Sequence, residues 1–475
     1  MENMSPAKIE QIVKAMEGIV TGKYVSTSLF EKIKNCTVPR AYEVEEEILP
    51  YAVVMPGSAA EISEILKYAN AEKVPVFVRA SGTSLSVHTR PHRPGILLNT
   101  HRMQNLEIYE ENGYFECKPG ITAGKVAEAL SRIGCFLPIW PGSRLVASMG
   151  GLIANNTSGH VIDACMGKPG DYILGLEVVL PNGEILETGS KGLRRIAGTD
   201  LGKFFIGSDG ILGVVTKIRM LLVPEFKQSY GMAEFENLGD MARGVQRVFR
   251  DHLPVPIFME MMARDVAEPG YRIKGLEPPE GAILMFAQTA YTEKEAGAKA
   301  ECLLEAMAKE KATKAYAITD EETWHKIWGA REVIGPYLMQ ENGDIITSAE
   351  VVSNLKDLEG FMVDCERFNE GLPLIGGLRN YLYGHIGALT LHPSFLIPRS
   401  WDKDKKRAAV KEVFQRETEL NLKYETCGGE WGQFSVRTPF FIQRYGETGY
   451  GLVKGLKAMM DPNNILNPGI LEGYR

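Results

Sequence analysis

Residues 74–86 read VPVFVRASGTSLS, an apolar β-type run that stops at Arg79 and passes straight into Ala80, Ser81, Gly82, Thr83 and Ser84. A turn of such small and hydroxylated residues lets successive backbone N–H groups converge on a pyrophosphate, so no lysine clamp is needed. Two later segments share this character. PGSRLVASMGGLIANNTSGH (141–160) concentrates glycine, hydroxyl and amide side chains, and AGTDLGKFFIGSDGILGVVT (197–216) turns tightly at Gly207-Ser208-Asp209-Gly210 into a buried strand. Loops of that composition inside a compact domain are uncommon unless they hold something. No GxGxxG opens a βαβ unit, which disfavours a Rossmann nicotinamide site, and no GxxxxGK[ST] loop is present.

Outward from these segments the chain alternates short strands with helices. Residues 5–35 place Ile9, Ile12, Val13 and Met16 at helical spacing. The stretch 52–80 reads as strand, helix and strand, with Ser58 as cap and Ile62, Ile65 and Leu66 on one face. Asn182-Gly183 marks a hairpin. Beyond Glu225 the texture changes: GMAEFEN, MARGVQRVFRDH and IFMEMMA form one β-α-β unit, and AILMFAQTAY, EKEAGAKAECLLEAMAKE and AYAIT form another. Two such units predict a ferredoxin-like antiparallel sheet covered by helices on one side. The class is therefore α+β, not a doubly wound sheet. The expected domains are 1–225 (N-terminal helix and cofactor domain), 226–425 (substrate or cap domain) and 426–475, a turn-rich segment too short to fold alone.

The chain has 475 residues, too many for one core. Its net charge of -7, without a basic run, speaks against a nucleic-acid groove. The N-terminus lacks the pattern of a signal peptide and no segment has the apolar length of a membrane span, so the cytoplasm is the expected compartment. The cysteines (36, 117, 135, 165, 302, 365, 427) are scattered without CxxC, so the chain supplies no iron–sulfur relay of its own.

Taken in order, the glycine-rich residues resemble the FAD-binding vanillyl-alcohol-oxidase (PCMH-type) family over nearly the whole chain. The similarity is strongest to its D-2-hydroxyacid dehydrogenases, such as D-lactate dehydrogenase and the FAD subunit of glycolate oxidase. Arg79 to Ser86 matches the family's RGGGTSLS, with two glycines replaced by other small residues. Pro119-Gly120, Gly150-Gly151, Asn156, Gly159, Gly175 and Gly207-Ser208-Asp209-Gly210 fall where the family contacts FAD. Asp461-Pro462 through Asn467-Pro468-Gly469 matches its DPxxxxNPG, which returns to the flavin domain. The resemblance implies FAD contacts at Arg79, Ala80, Ser81, Gly82, Thr83, Ser84, Pro141, Gly142, Ser143, Ser148, Gly150, Gly151, Asn156, Gly159, Gly207, Gly210, Val214 and Asn467. It implies non-covalent attachment too, because the loop matching Ser81–Ser84 has no histidine, and His88 beyond it reads as surface or core.

On the substrate side, His385 and His392 in YGHIGALTLHP keep the spacing of the family's GHxGDGNxH, and Glu430 in CGGEWGQ stands at its carboxylate. The resemblance makes these three the ligands of a divalent metal, zinc, manganese or iron, that acidifies a substrate hydroxyl. Two departures matter. GDGN is GALT here, and the family's catalytic histidine is Trp431, whose indole cannot act as a base. Three accounts stay open: a metal-bound alkoxide without a base, His385 or His392 as base in a metal-free site, or an indole wall for a bulky substrate. Arg331 aligns with the substrate-carboxylate arginine, and the null case is a solvated Arg-Glu pair on a helix. Trp324 and Trp328 read as a packed helix face. The expected function is an FAD-dependent dehydrogenase oxidising a D-lactate- or glycolate-like 2-hydroxy acid, or a related alcohol, by hydride transfer to flavin N5. Electrons would pass to a partner such as an electron-transferring flavoprotein or an iron–sulfur subunit. The alternatives are a flavin subunit of a larger redox complex and an oxidoreductase for an aromatic or apolar alcohol.

Overall fold

The structure, a computed structural model, describes residues 4–37, 48–85, 89–192, 198–334, 345–426, 428, 432, 434 and 437–472. The chain divides into two compact units, one of residues 1–157, 168–224 and 430–475 and one of residues 158–167 and 225–429.

In the first unit, strands Val25–Ser26 (β1), Ala52–Val54 (β2), Val76–Arg79 (β3) and Ile96–Asn99 (β4) form a sheet in the order β1-β2-β4-β3. β2 and β3 run parallel to β4. The connection from β2 to β3 is the helix Ala59–Glu72, whose first turn is closed by Ser58 accepting from the Glu61 N–H. It buries Ile62, Ile65 and Leu66 against this sheet's apolar core, together with Ile12, Met16 and Val20 from helix Pro6–Val20. A second sheet is antiparallel throughout. Leu106–Tyr109 (β5), Tyr114–Cys117 (β6), Ile173–Val179 (β8), Ile185–Glu187 (β9) and Val214–Leu221 (β10) lie in the order β5-β6-β10-β8-β9. Cys135–Phe136 (β7) pairs separately with Val223–Pro224 (β11).

The C-terminal segment is sewn into β3. The Val76 N–H donates to Ile465 O and the Asn467 N–H to Val76 O, each at 2.7 Å. Asn467 Oδ1 accepts from the Val78 N–H while its Nδ2 donates to Gly210 O, both at 2.8 Å. One amide thus ties the strand that precedes the first glycine-rich loop to the turn at Gly210.

In the second unit, Lys227–Phe235 (β12), Phe258–Met262 (β13), Ala282–Ala290 (β14) and Lys314–Ile318 (β15) stand in the order β15-β12-β14-β13. This is the ferredoxin-like order that two β-α-β units produce. The sheet then continues past β13 through Tyr381–Gly384 (β18) and Thr390–Ile397 (β19) to Ile345–Ser348 (β16), with Val351–Val352 (β17) on β19. The added strands occupy the edge that β13 would otherwise leave open, pairing Met261 with Gly384 and Met262 with Tyr383. Helices Leu238–Arg250, Glu293–Lys309 and Leu358–Glu366 bury one face over Met259, Met261, Leu284 and Phe286.

One boundary differs from the sequence expectation. Residues 158–167, expected within 1–225, belong to the second unit, because Ile162 joins the second core and its N–H donates to Ile257 O at 2.9 Å. Gly159 goes with them.

Candidate functional site

The first unit gathers most of the expected FAD residues into one cradle. β3 ends at Arg79, and the chain turns through Gly82 at φ +67°, a conformation glycine adopts without strain. A Cβ at Gly82 would fall on the Arg79 guanidinium, which lies buried beneath the loop and donates to Thr37 O and Thr89 O. Arg79 therefore props the loop from within. The Ser81 N–H donates to Ser148 Oγ at 3.0 Å, bringing Gly151, near the start of the helix Met149–Asn155, beside Ala80. Among the described residues the N–H groups of Gly82 and Thr83 have no acceptor. Neighbouring amides with no acceptor, behind small side chains, suit a pyrophosphate.

Other expected contacts brace this cradle. A Cβ on Gly150 would approach Pro119 Cβ to 2.5 Å, so the helix backbone packs directly on the proline ring. Asn156, at φ +53°, ends the helix Met149–Asn155 and its Oδ1 accepts from the Gly170 N–H at 3.0 Å. The Gly207 and Asp209 N–H groups donate to Ile153 O and Ala154 O. Pro141 O and Ser143 O accept within the turn that precedes Ser148. Val214 is buried in the core of the first sheet, and the Asn467 side chain is spent on backbone groups, so their side chains shape the cradle from behind. Ser86 and His88 lie outside the described residues.

In the second unit, β13 is buried from end to end, and period-two alternation turns Met259 and Met261 to the helix-covered core. Glu260, fully buried, points to the opposite face. Three elements converge on its carboxylate. Helix Glu321–Glu332 supplies Arg331, whose Nε donates to Oε2 at 3.2 Å. The end of β18 supplies His385, with Nδ1 at 2.6 Å from Oε1. Segment 158–167 supplies His160, with Nδ1 at 3.1 Å from the same oxygen.

Burial opposes charge on Glu260, yet His385, His160 and Arg331 outweigh it and hold the carboxyl well below the usual carboxylate range. Burial pushes His160 down, against the pull of Glu260. With a folded pKa below the unfolded value of about 6.5, His160 contributes stability that is lost as pH falls through that value. The expected result is a melting temperature that declines from pH 7 to pH 5, with the unfolding free energy falling by up to about 1.4 kcal/mol per pH unit. His160→Gln should flatten that decline in a thermal scan.

His392, opposite Tyr383 in the β18–β19 ladder, sets its ring 5.1 Å from that of His385, with Nδ1 at 3.2 Å from Ala349 O. Trp324 and Trp328 are both buried, as a packed helix face requires. Trp324 stacks on Tyr230 at 4.3 Å, while Trp328 meets Phe258 and the edge of His160. The Arg331 guanidinium lies over Tyr383 at 4.5 Å. Arg331 is therefore a buried, paired residue, not the solvated alternative. Glu430 and Trp431 lie outside the described residues.

Among the described residues, the one three-ligand grouping is His160, Glu260 and His385; the expected set of His385, His392 and Glu430 includes a residue outside them. An ion at that grouping would sit beside the Arg331 guanidinium on a carboxylate whose oxygens are already engaged. It reads better as a charge network. Neither Glu260 nor His160 belongs to a motif that marks it as a site residue. The available signal was a lone acid inside the apolar run FMEMM, and a histidine closing the glycine-rich segment 141–160.

The glycine-rich cradle lies in one unit and the charged cluster on an antiparallel sheet in the other, and the chain is an FAD-linked oxidoreductase of PCMH-type α+β fold. The chain belongs to the family of FAD-linked oxidases: the FAD binding domain matches residues 50–189, and the FAD linked oxidases, C-terminal domain, matches residues 224–471. It is 30% identical over 446 residues to D-lactate dehydrogenase of Archaeoglobus fulgidus, covering 93% of this chain and 94% of the relative. It is also 30% identical to glycolate oxidase subunit GlcD of Bacillus subtilis, over 89% and 88% of the two chains. Among solved structures, p-cresol methylhydroxylase with substrate bound superposes with a TM-score of 0.76 at 16% identity, covering 99% of this chain and 98% of that one. That likeness speaks for the fold. No helix among the described residues is long and apolar enough to cross a membrane.

Proposed function

We propose that this oxidoreductase is a dehydrogenase for a small 2-hydroxy acid of the D-lactate or glycolate type. The observation that carries the reading is the Arg331–Glu260–His385 array, in which one buried carboxylate fixes both a cation and an imidazole. FAD, held by the amides around Gly82 and Thr83 and braced by Ser148, Gly150 and Gly151, supplies the hydride acceptor. The chain's side chains do the rest. His385, whose Nδ1 lies 2.6 Å from the Glu260 carboxylate, would be the base for the substrate hydroxyl, and Glu260 would stabilise the imidazolium that forms. Arg331 spends its Nε and Nη2 side on Glu260, while its Nη1 has no partner among the described residues, which supports a role in holding the substrate carboxylate. Electrons then leave to a separate acceptor protein, an electron-transferring flavoprotein or an iron–sulfur subunit.

One observation favours a metal-assisted version. Both His385 and His392 set Nδ1 on protein oxygens, the arrangement that orients Nε2 toward an ion. These two nitrogens, with Glu430, would hold zinc, manganese or iron, which would acidify the hydroxyl.

The test is anaerobic. Purified protein is assayed for metal and its visible flavin band followed against D- and L-2-hydroxy acids and aromatic alcohols. Bleaching by a D-2-hydroxy acid or glycolate supports the proposal, and stoichiometric metal selects the metal-assisted version. A band that only aromatic alcohols bleach, or that nothing bleaches, contradicts it in favour of the apolar-alcohol or relay-subunit alternatives.

A further inference from the structure

The helix Thr438–Met460 is broken at Gly446, which sits at φ +71° and ψ 174°, so its second limb runs from Glu447 to Met460. That limb has two faces of different character. Tyr450, Val453, Leu456 and Met460 pack on the core of the first unit. Between them the buried Lys457 donates to Ile211 O and Leu466 O and pairs with Asp461. The outer face carries Thr448, Gly451, Leu452, Gly455 and Met459, which fall on one side of a helix.

This outer face is apolar where a lone helix would be polar. Leu452 is 72% exposed and Met459 73%, and nothing lies within 4 Å of a Cβ built on Gly451 or Gly455. A large apolar side chain flanked by two bare stretches of backbone forms a knob beside a hole, the shape that lets two helices approach closely.

The charges say which helix fits. Glu447 and Lys454 lie seven residues apart along the same edge of the face, both exposed, and neither has an ion pair among the described residues. When two copies of a helix pack antiparallel about a two-fold axis, like edges meet and the sequence is mirrored about the axis. An axis between Tyr450 and Gly451 sets Glu447 of each copy against Lys454 of the other, and places the two copies of Leu452 beside each other across it. Parallel packing brings unlike edges together and offers these charges no such match.

We propose that the Glu447–Met460 face is a two-fold interface on which the same segment of a second copy of this chain packs antiparallel. The experiment measures the dimer dissociation constant of the full-length, FAD-loaded protein by sedimentation. Leu452→Glu should raise it by about 30-fold or more, as expected for the loss of a central apolar anchor. Glu447→Lys and Lys454→Glu should each weaken the dimer, and the double exchange should restore it, because each facing pair then again has opposite signs. A protein that is monomeric at micromolar concentration overturns the proposal, even if this face then captures some other protein. So does a dimer indifferent to Leu452→Glu, and one that the charge exchange fails to restore contradicts the antiparallel register.

Discussion

Glu260→Gln is expected to slow anaerobic flavin reduction by a hydroxy acid by roughly 10³–10⁴-fold, while the protein still binds FAD. The carboxylate accepts from His385 Nδ1 at 2.6 Å, which keeps the proton on Nδ1. A carboxamide there can donate to Nδ1 instead, which favours the other tautomer and removes the base. The same change leaves the buried Arg331 cation without its counter-ion. Stability should fall by about 3–5 kcal/mol, the usual cost of breaking one side of a buried pair. Stopped-flow absorbance reads the first effect and a thermal or denaturant melt the second. His385→Gln separates them: it removes the base but keeps the Arg331–Glu260 pair, so the rate should fall as far with a smaller loss of stability.

Gly82→Val is expected to empty the cofactor site, raising the dissociation constant for FAD by about 100-fold or more, equivalent to roughly 3 kcal/mol. Two effects act together. A β-branched residue is strained at φ +67°, and its Cβ would displace the Arg79 guanidinium that props the loop. Either movement scatters the amides of Ser81, Gly82 and Thr83. The ratio of flavin to protein absorbance in the purified variant measures the effect. Secondary structure by circular dichroism should be nearly unchanged, because the loop follows β3 without contributing to the sheet.

The flavin half of the protein was legible in its sequence because the features that build it are local. Gly82 needs a positive φ and Gly150 a bare approach to Pro119, and such demands leave glycines in recognisable places. The four-stranded ferredoxin-like order was legible for a related reason, since each β-α-β unit closes within a short stretch of chain. The strands added beyond β13 were not. Their pairing of Ile345–Ser348 and Tyr381–Gly384 through Thr390–Ile397 depends on distant partners, and nothing in their composition names them.

The charged cluster illustrates the same limit. His385, His392 and Arg331 were found through their motifs, but their organiser, Glu260, sits 71 residues from Arg331 and 125 from His385. His160 closes the glycine-rich segment 141–160, and only the folded chain carries it into the second unit. Arg331 also has a partner the motif did not contain, Glu260, to which its Nε donates.

The most direct test of the account is a single anaerobic turnover with a D-2-hydroxy acid carrying hydrogen or deuterium at C2, followed at the flavin band. The account predicts full bleaching, slowed by deuterium, and slowed by orders of magnitude in Glu260→Gln. A flavin that no hydroxy acid reduces, or one reduced at the same rate with Glu260 replaced, would contradict it.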